Sequence, residues 1–259
     1  MMGSAMREKA LPELTPSERE RYARHLALPS IGETGQRRLK AARVLVIGVG
    51  GLGSPISMYL AAAGVGHLGL VDDDAVSLSN LQRQVAHGTS TLGRPKVASG
   101  LERLLDLNPE VDVHPYHERF TAETAAGIAS SYDLIVDGTD NFDTRYVINQ
   151  TCVRLGIPYV YGAIFRLEGQ VSVFGTPDGP CYVCVFPEPP PPETVLSGAE
   201  AGIMGAIPGT IGTLQATEAI KWIVGIGMPL VGRLLVYDAA GMAFESIEVT
   251  KNPVCPVCG

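Results

Sequence analysis

The chain has 259 residues, of which 46% are hydrophobic and 18% are charged. This length and composition predict one folded α/β domain across residues 1–259, with residues 1–15 flexible. The net charge of −7 at pH 7 argues against nucleic acid or an anionic membrane as the main partner. No apolar stretch has the length of a membrane span and the N-terminus lacks a signal-peptide core, so we expect a cytoplasmic protein.

The first half of the chain alternates predicted strands with predicted helices. The strands are short apolar runs, and small-residue or amphipathic segments lie between them. This order predicts a Rossmann-like, mainly parallel sheet with helices on both faces. The predicted strands cover residues 43–47, 67–71, 111–113 and 133–136, and the predicted helices cover residues 52–63 and 97–107, with a third beginning near residue 142.

The second half of the chain is richer in strand patterns, which predicts a more antiparallel extension of the sheet. Residues 187–192 contain five prolines, which exclude an ordinary helix or a central strand there. We therefore expect residues 187–205 to form a mobile crossover loop. The predicted strands cover residues 158–161, 170–174 and 234–237, and a predicted helix covers residues 209–224.

A glycine-rich loop, Gly48-Val49-Gly50-Gly51-Leu52-Gly53, follows the first predicted strand and opens a helix. Asp72 comes after it at the interval expected for a carboxylate that binds a ribose. Glycines let the backbone approach a ligand, and the N-terminus of a helix favours negative charge. The pattern predicts nucleotide binding, but it does not distinguish NAD from ATP, and a tight turn without a ligand is the alternative.

Two cations follow this loop in the sequence. Arg83 lies in the arginine segment, Asn80-Leu81-Gln82-Arg83-Gln84, and Lys96 closes the run Gly93-Arg94-Pro95-Lys96. A dinucleotide site has no need of cations at this point, whereas the triphosphate of ATP does. Together with the closely spaced Asp72 and Asp74, they favour nucleotidyl transfer over hydride transfer.

An aspartate loop, Asp137-Gly138-Thr139-Asp140-Asn141, follows another predicted buried strand. Ligands of open α/β sheets bind at this end of the strands, and Mg²⁺ prefers carboxylate and phosphate oxygens. Asp140 is therefore a candidate ligand for Mg²⁺. The alternative is an N-cap for the helix that starts near Phe142, a position that suits both Asp and Asn.

Four of the five cysteines form two matched pairs, Cys181-Tyr182-Val183-Cys184 and Cys255-Pro256-Val257-Cys258. Each pair presents two thiolates to one side of a turn, so the four together suit one tetrahedral, structural Zn²⁺. A redox pair, or two unrelated pairs, is the alternative. The fifth cysteine, Cys152, lies in a segment that predicts a buried helix position.

The chain resembles the E1-like superfamily that activates ubiquitin-like proteins, and within it the MoeB/ThiF-type adenylyltransferases that serve molybdopterin and thiamine sulfur carriers. The resemblance extends from about Arg21 to Cys258. It includes Arg21-Tyr22-Ala23-Arg24, the glycine-rich loop, residues 72–74, residues 79–84, residues 93–96, the aspartate loop and both cysteine pairs.

The resemblance implies a reaction and its participants. The C-terminal glycine carboxylate of a small β-grasp carrier ending in Gly-Gly attacks the α-phosphate of MgATP, which yields an acyl-adenylate and pyrophosphate. The implied roles are ribose binding by Asp72, phosphate binding by Arg83 and Lys96, metal binding by Asp140, and polar contacts to the nucleotide by Asp74, Asn80 and Gln84.

Three further implications concern the assembly and its later chemistry. Arg24 would reach across a homodimer to the γ-phosphate in the partner's site, although the sequence by itself indicates only a surface arginine. Gly198 stands where family members that bond covalently to their carrier have a cysteine, which puts such a step in doubt. Arg166 is a candidate contact for the carrier's tail, with a surface turn as the alternative.

Two other function classes stay open at this stage. One is a zinc-containing nicotinamide dehydrogenase, which Arg83, Lys96 and the lack of a recognisable hydride-transfer acid or base argue against. The other is a non-catalytic module that docks carrier proteins.

The sequence does not identify the carrier, so the syntheses of molybdopterin, thiamine, cysteine and thiolated tRNA are all open as the pathway. The five histidines show no metal-ligand spacing and are interpreted as structural or surface residues.

Overall fold

The computed structural model describes residues 11–191 and 202–259. One sheet of eight strands organises this part of the chain, in the order β3-β2-β1-β4-β5-β6-β7-β8. The strands are β1 (Arg43–Ile47), β2 (His67–Val71), β3 (Asp112–Tyr116), β4 (Leu134–Asp137), β5 (Tyr159–Phe165), β6 (Glu168–Phe174), β7 (Arg233–Asp238) and β8 (Ala243–Glu248).

Strand direction changes halfway across the sheet. The strands β3, β2, β1, β4 and β5 pair in parallel. From β5 to β8 every pairing is antiparallel. The predicted Rossmann-like half with an antiparallel extension is therefore confirmed, and the predicted strands are present with ends shifted by a few residues.

Nine α-helices are described, and they cover both faces of the sheet. Alternate residues of β1 point to opposite faces, so Val44 and Val46 enter one core cluster while Leu45 and Ile47 enter the other. The helices are α1 (Pro16–Arg21), α2 (Ala23–Leu26), α3 (Gly32–Ala41), α4 (Gly53–Ala63), α5 (Lys96–Leu107), α6 (Ala125–Ala129), α7 (Phe142–Leu155), α8 (Tyr182–Val185) and α9 (Ala206–Val224), with short 3-10 turns at Leu78–Asn80 and Thr89–Thr91.

The first core cluster lies beneath α3, α4, α5 and α9, and the second lies beneath α6, α7 and α8. Cys152 of α7 is fully buried in the second cluster, as predicted. The helix α9 begins three residues earlier than the sequence suggests and includes Pro208 in its first turn. Proline is tolerated there because the amides of the first turn have no partner within the helix.

The edge strand β8 has no counterpart among the predicted elements. All six of its residues are exposed. Its sequence, Ala-Phe-Glu-Ser-Ile-Glu, therefore carries no core pattern, and only its pairing with β7 makes it a strand. Within residues 11–191 and 202–259, no helix combines the length and apolarity needed to cross a membrane.

Candidate active site

The ends of β1, β2 and β4 lie side by side, because Ile47 pairs with both Val71 and Asp137. The chain therefore leaves the three strands at one edge of the sheet. The amide of Gly48 donates to the Val71 carbonyl at 2.7 Å, and the amide of Gly138 donates to the Ile47 carbonyl at 2.8 Å. This is the point where the strand order reverses, the usual place for a ligand in an open α/β sheet.

Glycines at this edge allow two backbones to touch. Gly48 has a φ of 86°, and a β-carbon there would lie 2.7 Å from the Gly138 carbonyl oxygen. A β-carbon at Gly53 would overlap the Gly48 carbonyl oxygen. Gly48, Gly53 and Gly138 are therefore required by packing, which leaves Gly50 and Gly51 as the glycines that face other side chains.

The arginine segment folds over the glycine-rich loop. A β-carbon on Gly51 would lie 3.6 Å from Cδ of Arg83, and one on Gly50 would lie 3.5 Å from Nε2 of Gln84. The Asn80 carbonyl accepts from the Arg83 and Gln84 amides, at 3.0 Å each, and so forms the turn that brings them there. Gln84 is buried, and among the described residues nothing bonds to its Oε1.

Asp72 receives two backbone amides directly after β2. Its Oδ2 accepts from the Val49 amide at 2.7 Å, and its Oδ1 accepts from the Asp74 amide at 2.9 Å. Burial raises the pKa of Asp72, and the nearby Lys96 opposes that rise. The carboxylate is thus tied to the glycine-rich loop at the position that the sequence predicts for a ribose contact.

Lys96 lies with its ammonium beside the carboxylates of Asp74 and Asp72 in this structure. Its ammonium donates to Asp74 Oδ2 at 2.7 Å and lies 4.0 Å from Asp72 Oδ1. Its side chain is 6% exposed, whereas that of Asp74 is 68% exposed. Contact with a phosphate would therefore require Lys96 to give up or share its bond with the exposed Asp74.

The aspartate loop rests on a buried ion pair. Asp137 accepts from the amide and the hydroxyl of Thr139, at 2.9 and 2.6 Å, and its other oxygen lies 3.7 Å from Nε of Arg145. Arg145 also donates to the Thr139 carbonyl at 3.1 Å. This pair was not identified from the sequence, because an arginine one turn into a helix gives no sign of being buried.

Asn141, rather than Asp140, caps α7. Its side chain accepts from the Thr144 amide at 2.9 Å. Asp140 is exposed on the neighbouring turn of the aspartate loop. The alternative reading of Asp140 as the cap is therefore wrong, and its carboxylate is accessible to a ligand at the edge where β1 and β4 end.

The predicted arginine of the N-terminal segment lies apart from these groups. Arg24 is exposed on α2, and no contact between it and the other predicted site residues is found within the described part of the chain. Gly198 lies outside the described residues. Arg166 occupies the tip of the hairpin between β5 and β6 with a φ of 54°.

The four paired cysteines converge although 74 residues separate the pairs in sequence. The Sγ distances are 3.8 Å from Cys181 to Cys184, 3.6 Å from Cys181 to Cys255, and 3.4 Å from Cys184 to Cys258. All four sulfurs lie within 4.8 Å of one another. A tetrahedral Zn²⁺ with Zn–S bonds of about 2.3 Å needs sulfurs roughly 3.8 Å apart, so the set fits this ion.

Comparisons with known proteins agree on one family. The model of the ThiF family matches residues 22–257. The sulfur carrier protein adenylyltransferase of Thermus thermophilus is 51% identical over 250 residues, which cover 95% of this chain and 92% of that protein. The SAMP-activating enzyme E1 of Haloferax volcanii is 48% identical over 246 residues, which cover 95% of this chain and 91% of that protein.

Solved structures share the fold at lower identity. The crystal structure of E. coli MccB with ATP superposes with a TM-score of 0.80 at 24% identity, and the match covers 95% of this chain and 75% of that one. At this level of identity the likeness establishes the fold alone.

We expect Gly53→Ala to disrupt the glycine-rich loop, because the added methyl group overlaps the Gly48 carbonyl. The free energy of unfolding should fall by about 2 kcal/mol or more, and ATP binding should be lost. Gly127→Ala is the matched control, because its added methyl meets nothing within 4 Å on α6. Urea unfolding measures both variants, and equal stability of the two would contradict the expectation.

Proposed function

The chain belongs to the ThiF family, and we propose that it uses ATP to adenylate the C-terminal glycine carboxylate of a small ubiquitin-like sulfur carrier, with release of pyrophosphate. The observation that carries this proposal is the packing of Arg83 and Gln84 against Gly51 and Gly50. The stem of the Arg83 side chain and the Gln84 amide thereby lie beside the glycine-rich loop, and within the described residues nothing accepts a hydrogen bond from the Gly50 and Gly51 amides. The names of the two curated relatives support an activating enzyme that acts on a carrier protein.

The proposed nucleotide site uses backbone and side chains together. The first amides of α4 and the preceding glycines face the phosphates, where the helix N-terminus favours negative charge. Asp72 accepts from the ribose hydroxyls with the lone pairs that its two backbone donors leave free. Arg83 neutralises the phosphates, with Asn80 and Gln84 as polar neighbours.

Asp140 is the proposed ligand for Mg²⁺, which is a hard cation that neutralises phosphate charge when bound. The exposed carboxylate suits that ion, and the buried Asp137–Arg145 pair fixes the backbone that carries it. Lys96 contributes a second phosphate contact by moving from the exposed Asp74 to the nucleotide, while Asp72 stays beside it.

The reaction needs no general base. The attacking group is a terminal carboxylate with a pKa of about 3.3, so it is already ionised near neutral pH. Its oxygen forms a bond to the α-phosphorus while the bond from that phosphorus to the bridging oxygen breaks, and pyrophosphate leaves with the electron pair. The site therefore has to align the carboxylate with the α-phosphate and to neutralise charge. The loop amides, Arg83 and Lys96 perform these functions.

We expect the wild-type chain with Mg²⁺ to exchange labelled pyrophosphate into ATP only when a β-grasp carrier ending in Gly-Gly is present. Arg83→Ala and Asp140→Asn should each lower the exchange rate at least about a hundredfold, because each removes a charge that acts at the phosphates. Arg103→Ala is the matched control, since Arg103 lies exposed on α5 and, among the described residues, forms an ion pair with Asp106 alone.

Exchange that survives both substitutions at the wild-type rate would refute the site assignment. ATP binding without exchange for any such carrier would favour the docking module instead. NAD binding without ATP binding would favour the dehydrogenase.

The proposed assembly is a homodimer in which Arg24 acts on the partner's nucleotide. Two contacts anchor the helix that carries it, since Tyr22 accepts from Asn108 at 2.8 Å and His25 bonds to Gln36 at 2.9 Å. Arg24 itself is exposed.

An apolar groove of about 560 Å³ lies between α4 and α9, beside the arginine segment. We propose that a second copy of the chain covers this groove in the dimer. The groove is lined by Pro55, Tyr59, Val85, Ala206, Gly209, Thr210, Thr213 and Leu214.

Mixing two inactive variants tests the action of Arg24 in trans. Arg24→Ala and Arg83→Ala homodimers should both be inactive, but a mixed dimer has one site with both arginines. Random re-association should restore about a quarter of the wild-type exchange rate. No restoration, despite mixed dimers detected by mass spectrometry, would place Arg24 in its own chain's site or outside any site.

The four-cysteine group is the proposed site of one structural Zn²⁺. We expect Cys184→Ser to lose the ion and to lower the melting temperature, because the site joins the C-terminal turn to α8. Cys152→Ala is the control, since that cysteine belongs to the second core cluster and not to the four-sulfur group, and its removal should leave one zinc per chain. Elemental analysis measures the metal, and stoichiometric zinc in Cys184→Ser would contradict a four-thiolate site.

A further inference from the structure

We infer that His87 is a positioning residue that turns the Gly50 amide of the glycine-rich loop toward the phosphates of the nucleotide. The inference rests on the proposed function, because it requires ATP to bind at this loop. His87 follows the arginine segment by three residues, and its sequence context gives no sign of a role in the site.

Three contacts restrain Val49, at its amide, its carbonyl and its side chain, and His87 makes the contact at the carbonyl. The Val49 amide donates to Asp72 Oδ2 at 2.7 Å, and Nε2 of His87 lies 2.8 Å from the Val49 carbonyl oxygen. The Val49 side chain is fully buried and packs against α5, where a β-carbon on Gly100 would lie 3.2 Å from it. Its two peptide planes therefore have little freedom to rotate.

The direction of the Gly50 amide follows from the hydrogen bond at Val49. In a planar trans peptide, a carbonyl and the next amide point to opposite sides. His87 draws the Val49 carbonyl toward α5, so the Gly50 N–H is turned away from α5 and out of the loop. Among the described residues, none accepts a hydrogen bond from that N–H, which leaves it available for an anionic oxygen.

The tautomer of His87 is determined by its two partners. A carbonyl oxygen only accepts, so Nε2 carries the proton and donates to Val49. Burial lowers the pKa of His87, and Lys96 lowers it further, while the Val49 carbonyl and Asp72 oppose this change. The lowered pKa leaves the ring neutral near pH 7, and Nδ1 lies 2.9 Å from the Ser99 hydroxyl oxygen, which itself lies 3.0 Å from Thr91 Oγ1.

A neutral ring acts here through its hydrogen bond and adds no charge of its own to the site. The titratable groups that face it are Lys96, at the start of α5, and Asp72, after β2. Both already have oppositely charged partners within the same cluster. The effect of His87 on the nucleotide should therefore depend on a donor at the Nε2 position, which a glutamine side chain can also provide.

Displacement of a fluorescent ATP analogue by ATP and by adenosine tests this role. His87→Leu should raise the Kd of ATP roughly tenfold, the effect of one lost hydrogen bond to a charged group. The Kd of adenosine, which has no phosphate, should change less than about twofold. His87→Gln should stay within about threefold of the wild type for ATP, because its side-chain amide replaces the donor.

Wild-type affinity for ATP in His87→Leu would overturn the inference, and so would equal losses for ATP and adenosine, which indicate general disruption of the fold. Should His87→Leu fail to fold, Ser99→Ala tests the same hydrogen-bond chain from its other end. It should weaken ATP binding about threefold without affecting adenosine, and unchanged ATP binding would count against the inference. A wild-type chain that binds no ATP would refute the proposed function itself and this inference with it.

Discussion

Contact between two backbones, where β1 and β4 end, is the constraint on which the rest of the site depends. A β-carbon at Gly48 or at Gly138 would lie 2.7 Å from the other residue's carbonyl oxygen. Only residues without a side chain allow this approach. Parallel pairing of β1 with β4 puts the glycine-rich loop and the aspartate loop at one edge of the sheet, and the glycines let them touch there, with the start of α4 beside them. Nucleotide and metal contacts can therefore come from segments about 90 residues apart in the chain.

Two carboxylates hold these loops in place, one on each side of the contact, and both are largely removed from solvent. Asp72 accepts from the glycine-rich loop and has Lys96 beside it, and Asp137 accepts from its own loop and has Arg145 beside it. A buried charge is costly unless it is paired and hydrogen-bonded, so each pairing restrains the backbone around it. The backbones of the two loops are thereby arranged before any ligand binds, which favours a reaction that depends on alignment and charge neutralisation.

The antiparallel half of the sheet has a different relation to the site. The helix α9 packs across β5 and β6, and its Gln215 donates to the Asp137 carbonyl at 2.6 Å. The same helix places Pro208 against Gly51. The helix α9 therefore contacts both the aspartate loop and the glycine-rich loop. The cysteine group joins the end of the chain to α8. Among the described residues, those of β8, and Arg166 at the tip of its hairpin, make none of these contacts with the two loops or the cysteine group.

The sequence by itself determined the alternation of strands and helices, the two loops, the cation segments and the cysteine pairs, because each depends on local spacing or on residues that only one backbone geometry accepts. Only the tertiary structure decided which groups meet. It revealed β8, whose exposed residues lack a core pattern, and the burial of Arg145. It also showed Lys96 paired with Asp74, and His87 bonded to the Val49 carbonyl. The contacts of Lys96 and His87 join residues 22 and 38 positions apart in the chain. Local sequence carries no signal for them, because their partners are brought close only by the packing of the sheet and its helices.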